Sequence, residues 1–291
     1  MDGRIGMNKV VIISDSTCDL SQELIDKYNV VILPLHVTFK DGSTYDDGKN
    51  IHLPTLFEKV AETGVLPTTS AASPAEFHDL FEKYINEGYD ILYTGISSKL
   101  SCTFQNAHIA REDFDENRIE LVDSLNLSTG IGLLVIKACE YRDQGLDIHQ
   151  IAEKLNNIAP RVKSQFVINT LDFLHKGGRC SGLVKFIGTA IKMKPMIAVR
   201  EGSMSVAGIA IGTYKKALGL LIKKFSKHYE KADKSHVFIT HAEAHTDADY
   251  IRNELDKQGL KVENLHETSA GCVIGTHCGP RCIGILYIVE E

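Results

Sequence analysis

In the first half of the chain, short apolar runs alternate with stretches of helical periodicity, and this alternation restricts the fold more than any other feature. Residues 10–15 (Val-Val-Ile-Ile-Ser-Asp) read as a buried strand, and residues 30–39, 90–96 and 119–123 as further strands. Residues 20–28, 53–63, 75–86, 103–112 and 130–144 instead place apolar side chains at helical spacing. Strands separated by helices of this length predict an α/β fold whose N-terminal sheet is mostly parallel, with flanking helices. Such sheets bind ligands at the carboxyl ends of their strands, which directs attention to the polar turns that follow them.

From residue 161 the pattern changes. A helix over 151–158 ends before Pro160 and reads as a link, so an N-terminal α/β domain over 7–160 and a C-terminal α/β domain over 161–291 are expected. Strands are predicted over 164–171 and 196–199, with a hairpin turning at Glu201-Gly202-Ser203 and returning through 205–209. Further strands are expected at 237–240, 262–265 and 283–289, with a helix over 247–258, which makes the second sheet mixed. The helix over 214–229 has one apolar face, with Ala217, Leu221 and Phe225, and one basic face, with Lys215, Lys216, Lys223, Lys224 and Lys227. Leu183, Phe186, Ile187, Ala190 and Ile191 also fall at helical spacing.

The net charge of -6 is spread without blocks of one sign, which argues against nucleic acid as a partner. No apolar run approaches the roughly 20 residues of a membrane span. The first six residues contain no apolar signal region, so a cytoplasmic protein is expected. The 7 cysteines include no C-x-x-C pair, and reduced, buried thiols are expected rather than structural zinc. His241 and His245 are four apart but straddle a predicted strand end, so a metal site is not expected there.

Four polar turns and one C-terminal histidine remain as candidates. Asp15 and Asp19 follow the first strand, but Thr17 stands where an aspartate nucleophile pair needs its second carboxylate, and Asp19 reads as a helix cap. Ser73 and Glu76 form a capping box with Pro74 at the first helical position, which leaves the hydroxyls of Thr69 and Ser70 close to a helix start that favours an anion. Ser97, Ser98 and Ser101 follow another strand. Lys99 stands where a nucleophile elbow requires glycine, so a hydroxyl-rich anion cradle is the better reading. Gly177-Gly178-Arg179 presents a guanidinium suited to a carboxylate or phosphate. Thr276 and His277 lie between Gly275 and Gly279-Pro280, in a predicted turn that holds an imidazole ready to bind an anion or move a proton.

Taken together, Asp15-Ser16-Thr17-Cys18-Asp19-Leu20, Thr69-Ser70-Ala71-Ala72-Ser73-Pro74, Ser97-Ser98-Lys99-Leu100-Ser101, Gly177-Gly178-Arg179 and Gly275-Thr276-His277-Cys278-Gly279-Pro280 resemble the DegV family, the FakB-type bacterial fatty-acid-binding proteins. The resemblance spans nearly the whole chain. It implies two α/β domains and a long-chain fatty acid whose tail is buried in an apolar pocket. Its carboxylate would be held by the turns carrying Thr69 and Ser70 and carrying Ser97, Ser98 and Ser101, with Thr276 and His277 from the second domain and Arg179 at the mouth. The resemblance further implies no catalysis by the chain alone and no cofactor or metal. The partner would be an ATP-dependent fatty acid kinase that makes an acyl-phosphate for phospholipid synthesis, and transient contact with a membrane surface would fit that role. Cys102 and Arg281 depart from the family's usual glycines, and Arg281 either supplies a cation near the headgroup or points to solvent. A small hydroxylated or phosphorylated substrate, as in the related dihydroxyacetone kinase domains, is the alternative reading.

Overall fold

The computed structural model describes residues 9–179 and 193–290. The expected helix through Leu183 and Ile191 lies outside them. The first half runs β1 (Lys9–Asp15), α1 (Gln22–Tyr28), β2 (Val31–Leu33), β3 (His36–Thr38), β4 (Thr44–Asp46), α2 (Leu53–Thr63), β5 (Thr68–Ser70), α3 (Pro74–Asn86), β6 (Tyr89–Gly95), α4 (Thr103–Arg111), β7 (Ile119–Asp123), α5 (Thr129–Asp143) and α6 (Ile148–Ile158). β2, β1, β6 and β7 lie in that order in a parallel sheet. The single strand expected over 30–39 is two strands. Pro34 has no N–H to continue a ladder, so β2 ends before it and β3 begins a separate antiparallel sheet ordered β4-β3-β5. The turn expected at Thr69 and Ser70 is therefore a strand, β5.

The second half continues as β8 (Val162–Val167), α7 (Asp172–Lys176), β9 (Met193–Arg200), β10 (Ser203–Ile211), α8 (Tyr214–His228), β11 (Val237–His241), α9 (His245–Lys257), β12 (Leu265–Ser269), α10 (Cys272–Cys278) and β13 (Ile283–Ile288). Its six described strands form one mixed sheet ordered β10-β9-β8-β13-β11-β12, parallel only between β11 and β12. The strand expected over 262–265 starts at Leu265 instead, and the turn expected to carry His277 is the last part of α10. The helix expected from residue 151 begins three residues earlier, at Ile148, where Asp147 and Gln150 form a capping box. The box predicted at Ser73 and Glu76 is present, with Pro74 in the first turn. Among the described residues, no helix is long and apolar enough to cross a membrane.

α5 joins the two halves. It packs on β1 and β6 on one side and on β8 and β13 on the other, and every residue from Thr129 to Ile136 is buried. A helix enclosed in this way must be apolar all round, which Ile131, Leu133, Leu134, Val135 and Ile136 satisfy. Gly132 permits the close approach, because a Cβ there would lie 2.8 Å from a Leu20 methyl and 2.9 Å from the Cys18 carbonyl oxygen. Gly132→Val is therefore expected to destabilise the fold by roughly 1–3 kcal/mol through overpacking, measured as a lower urea midpoint at unchanged slope.

Candidate functional site

The short helix α10 positions His277, and its N-terminus is held by two carboxylates from the other half of the chain. The Gly271 N–H donates to Asp19 Oδ1 at 2.8 Å, and the Cys272 N–H donates to Asp47 Oδ1 at 2.6 Å. No side chain of the N-cap residue, Gly271, is available for this task, so the distant aspartates satisfy the helix's first free donors. Their remaining oxygens are also used: Ser128 donates to Asp19 Oδ2 at 2.5 Å and Ser16 to Asp47 Oδ2 at 3.0 Å. The expectation that Asp19 caps the following helix is corrected, because Ser21 caps α1. Asp15 is buried as well and accepts from the Tyr93 hydroxyl and the Ile96 N–H, both at 2.9 Å, which fastens the turn after β6. A broad cleft of about 630 Å³ opens over Asp19 and Asp47, but the two carboxylates on its wall are already occupied by these bonds.

At the other end of α10, His277 Nε2 lies 2.8 Å from Thr69 Oγ1 on β5. The same cavity is lined by the polar groups Ser70, Ser101 and Arg179 and by the apolar side chains of Leu35, Leu100, Leu127, Leu174, Met204 and Ile274. Arg179 is tethered by its bond to the Gly177 carbonyl at 2.9 Å, and Ser101 pairs with Thr103 Oγ1 at 2.8 Å. Burial, and then the nearby Arg179, push the His277 pKa down to about 4, so the ring is neutral near pH 7. Its Nδ1 is buried with no hydrogen-bond partner among the described residues. A Thr–His pair of this geometry suggests nucleophile and base, but that chemistry wants a third group orienting the imidazole, and none meets Nδ1. A neutral ring in a cavity with three hydroxyls and a guanidinium is instead suited to holding an anion against an apolar floor. Two glycines shape this end of the helix. A Cβ on Gly177 would collide with His277 Nδ1, and Gly279, at φ +77°, sits against the Phe173 ring.

The structure therefore brings together Thr69, Ser70, Ser101, Arg179 and His277, and it leaves three other expected residues outside the cavity. Ser97 is buried, and its hydroxyl donates to the Gly202 carbonyl at 3.0 Å, tying the turn after β6 to the tip of the β9–β10 hairpin. Ser98 is exposed, with its N–H directed at Asp123. Thr276 is buried on α10 but does not line the cavity. Cys102, which follows Ser101, is exposed at the start of α4 and does not line the cavity. Arg281 is directed away from the site: it forks onto Asp247 at 2.6 and 3.0 Å and lies 4.5 Å from the Tyr214 ring centroid. Its φ of +62° lies in the left-handed region, which explains why glycine suits this position. Asp47 and the apolar floor carried no local sequence signal, and the Gly177 motif gave no sign of its contact with His277, since these roles depend on what packs against each residue.

His241 and His245 meet Glu267, at 3.3 and 3.8 Å respectively. Glu267 is already paired with Arg252. The Ala244 N–H points at His241 Nδ1, at 3.3 Å, which puts the neutral ring's proton on Nε2. That nitrogen then donates to Glu267 and has no lone pair for a metal.

The family model described as an uncharacterised protein of the DegV family matches residues 9–290. A DegV domain-containing protein of Clostridium acetobutylicum is 35% identical over 284 residues, covering 97% of this chain and 99% of the relative. A solved DegV family protein from Thermus thermophilus, described for its fatty acid binding, is 31% identical with a TM-score of 0.90, covering 97% of this chain and 99% of its own. DegV of Bacillus subtilis, described as a fatty acid binding protein, is 26% identical with a TM-score of 0.84, covering 98% of this chain and 100% of its own.

The clamp on α10 carries a pH signature. Burial, with the neighbouring charge of Asp47 adding to it, holds the Asp19 carboxyl well above the usual carboxylate range. A folded-state pKa raised in this way keeps a proton that the unfolded chain has lost. Its contribution is therefore fullest below the ordinary aspartate pKa and falls as pH rises through the raised value. Asp19→Asn removes this ionisation. The stability of wild type relative to the variant is expected to decline as pH rises above the ordinary aspartate pKa of about 4 in paired urea titrations. A relative stability that grows with pH would show that the clamp favours the ionised carboxylate.

Proposed function

The chain belongs to the DegV family, and from that membership and the site geometry we propose that it binds a long-chain fatty acid and presents the carboxylate to an ATP-dependent fatty acid kinase. The observation that carries this reading is the meeting of His277 with Thr69, Ser101 and Arg179 over an apolar floor. A buried carboxylate needs several donors, and two hydroxyls, a guanidinium and an imidazole supply them. Arg179 at the mouth leaves the headgroup at the surface, where a separate enzyme can phosphorylate it. The chain itself then acts as a carrier for the kinase that supplies the acyl-phosphate of phospholipid synthesis.

The cavity encloses about 40 Å³, whereas ligand pockets generally span about 300–1,000 Å³. A long tail therefore enters only if side chains of the floor part. Each buried methylene contributes about 0.8 kcal/mol toward that rearrangement. The same small volume favours the second reading, a small hydroxylated substrate held by the same donors.

Native mass spectrometry of the purified protein, with solvent extraction, separates the two readings. A stoichiometric fatty acid released on denaturation supports the carrier. An unshifted mass after addition of fatty acids would overturn it, and a covalent adduct on His277 with a small hydroxyketone would establish the alternative. His277→Ala and Thr69→Ala are each expected to weaken fatty acid retention about tenfold or more without unfolding the protein. Gly177→Ala touches no ligand, yet it is expected to weaken retention comparably, because its methyl group displaces the imidazole. Retention unchanged in all three variants would count against this carboxylate site.

A further inference from the structure

A second cleft lies where the two halves of the molecule meet, away from His277. It encloses about 390 Å³ between the loop at Leu125 and Asn126, the chain at Pro160, the ends of β8 and β9, and the last turns of α8. Three separate elements each send a cation to it: Lys163 from β8, Arg200 from β9 and Lys224 from α8. His228, one turn beyond Lys224, lines it too and bonds through Nδ1 to the Tyr287 hydroxyl at 2.8 Å.

The chain carries a net charge of -6, so its cations have ample acids to pair with, and many do. Among the described residues, the side chains of Lys163, Arg200 and Lys224 form no ion pair or hydrogen bond. Glu201 is the one acid among the described lining residues; it lies on the exposed hairpin turn and pairs with none of the three. The crowding of positive charge acts on the pKa values of its members. Burial, and then Arg200, lower the Lys163 pKa, while burial followed by Lys163, Lys224 and Lys227 lowers that of His228. Like charges converging on one partly enclosed volume repel one another unless an anion sits among them.

We propose that this cleft is a second binding site, for a small anion carrying phosphoryl groups, held by Lys163, Arg200 and Lys224. A compact, multiply charged group suits cations that arrive from three directions, and the planar guanidinium of Arg200 can bind two phosphoryl oxygens at once. The volume falls in the range of small-molecule sites. The alanines at 159, 198 and 207 keep the walls low. This site stands whatever ligand His277 holds, because the two cavities share no described lining residue.

The test is calorimetric titration of the full chain with pyrophosphate and with ATP, alongside sedimentation with vesicles of phosphatidylglycerol or of phosphatidylcholine alone. Lys163→Gln/Arg200→Gln is compared with Lys215→Gln/Lys223→Gln, which removes the same charge from the exposed face of α8. Fatty acid retention is measured on each as a check of the His277 site. Wild type is expected to bind pyrophosphate or ATP in a salt-dependent manner. The cleft variant is expected to lose about tenfold or more in affinity, with little change in the control and unchanged retention of fatty acid. Loss confined to phosphatidylglycerol vesicles would identify the phosphoryl group as a lipid headgroup. Absence of binding to every probe, or equal weakening in cleft and control variants, would overturn the proposal. Lys163→Arg, which keeps the charge, is expected to bind as wild type does if the cleft acts through its cations.

Discussion

The grip of Asp19 and Asp47 on the N-terminus of α10 is the interaction on which the site depends. The two carboxylates come from the loops after β1 and β4, and the donors they satisfy lie more than 200 residues further along the chain. Helix N-terminal N–H groups buried without acceptors would each cost about 1–3 kcal/mol, so the helix has a strong preference for this seat. Once its first turn is seated, its length decides where its last residues fall. His277 then reaches Thr69, on the antiparallel sheet that belongs to the same half as the aspartates. The clamp and the cradle are two ends of one rigid element.

α5 is the second constraint, acting through packing rather than polarity. Because it is buried against both sheets, it fixes the distance between the halves and so the distance across which the clamp must act. Ser128, just before its first turn, donates to Asp19, which ties the packed helix directly to the clamp. The Ser97 bond to the Gly202 carbonyl adds a further tie between the halves, at the hairpin tip. Both cavities with converging polar groups, the one beneath His277 and the cationic cleft, open along this junction. For the cavity beneath His277, neither half has a complete set of polar groups by itself: Thr69 and Ser101 come from one, and Arg179 and His277 from the other.

Much of the architecture was legible in local pattern. The apolar run at residues 10–15 reappears in β1, the spacing over 75–86 in α3, the box at Ser73 and Glu76 in its cap, and the turn at Glu201-Gly202 in the β9–β10 hairpin. Each depends on neighbours within a few residues. The errors fell where a local rule had a competitor. Pro34 split one apolar run into strands of two sheets, and Thr68–Ser70, polar enough to read as a turn, found pairing partners in β3. The segment Cys272–Cys278, rich in small residues, looked like a loop because its capping groups are absent locally and arrive from Asp19 and Asp47.

The sequence by itself determined the alternation of strands and helices, the positions of most caps and turns, and the family to which its five motifs point, because these depend on period and on adjacent residues. Only the tertiary structure decided which hydroxyls share a cavity. Ser101 lines the cavity beneath His277 while Ser97, four residues earlier, bonds the opposite hairpin. The motif that contains both does not distinguish them, since the difference lies in what packs against each. It also decided that Arg281 pairs with Asp247 while Arg179 lines the His277 cavity, and that Lys163, Arg200 and Lys224 converge on a cleft whose one described acid, Glu201, pairs with none of them. Such outcomes depend on contacts between residues far apart in the chain, which form only when the two sheets close on α5.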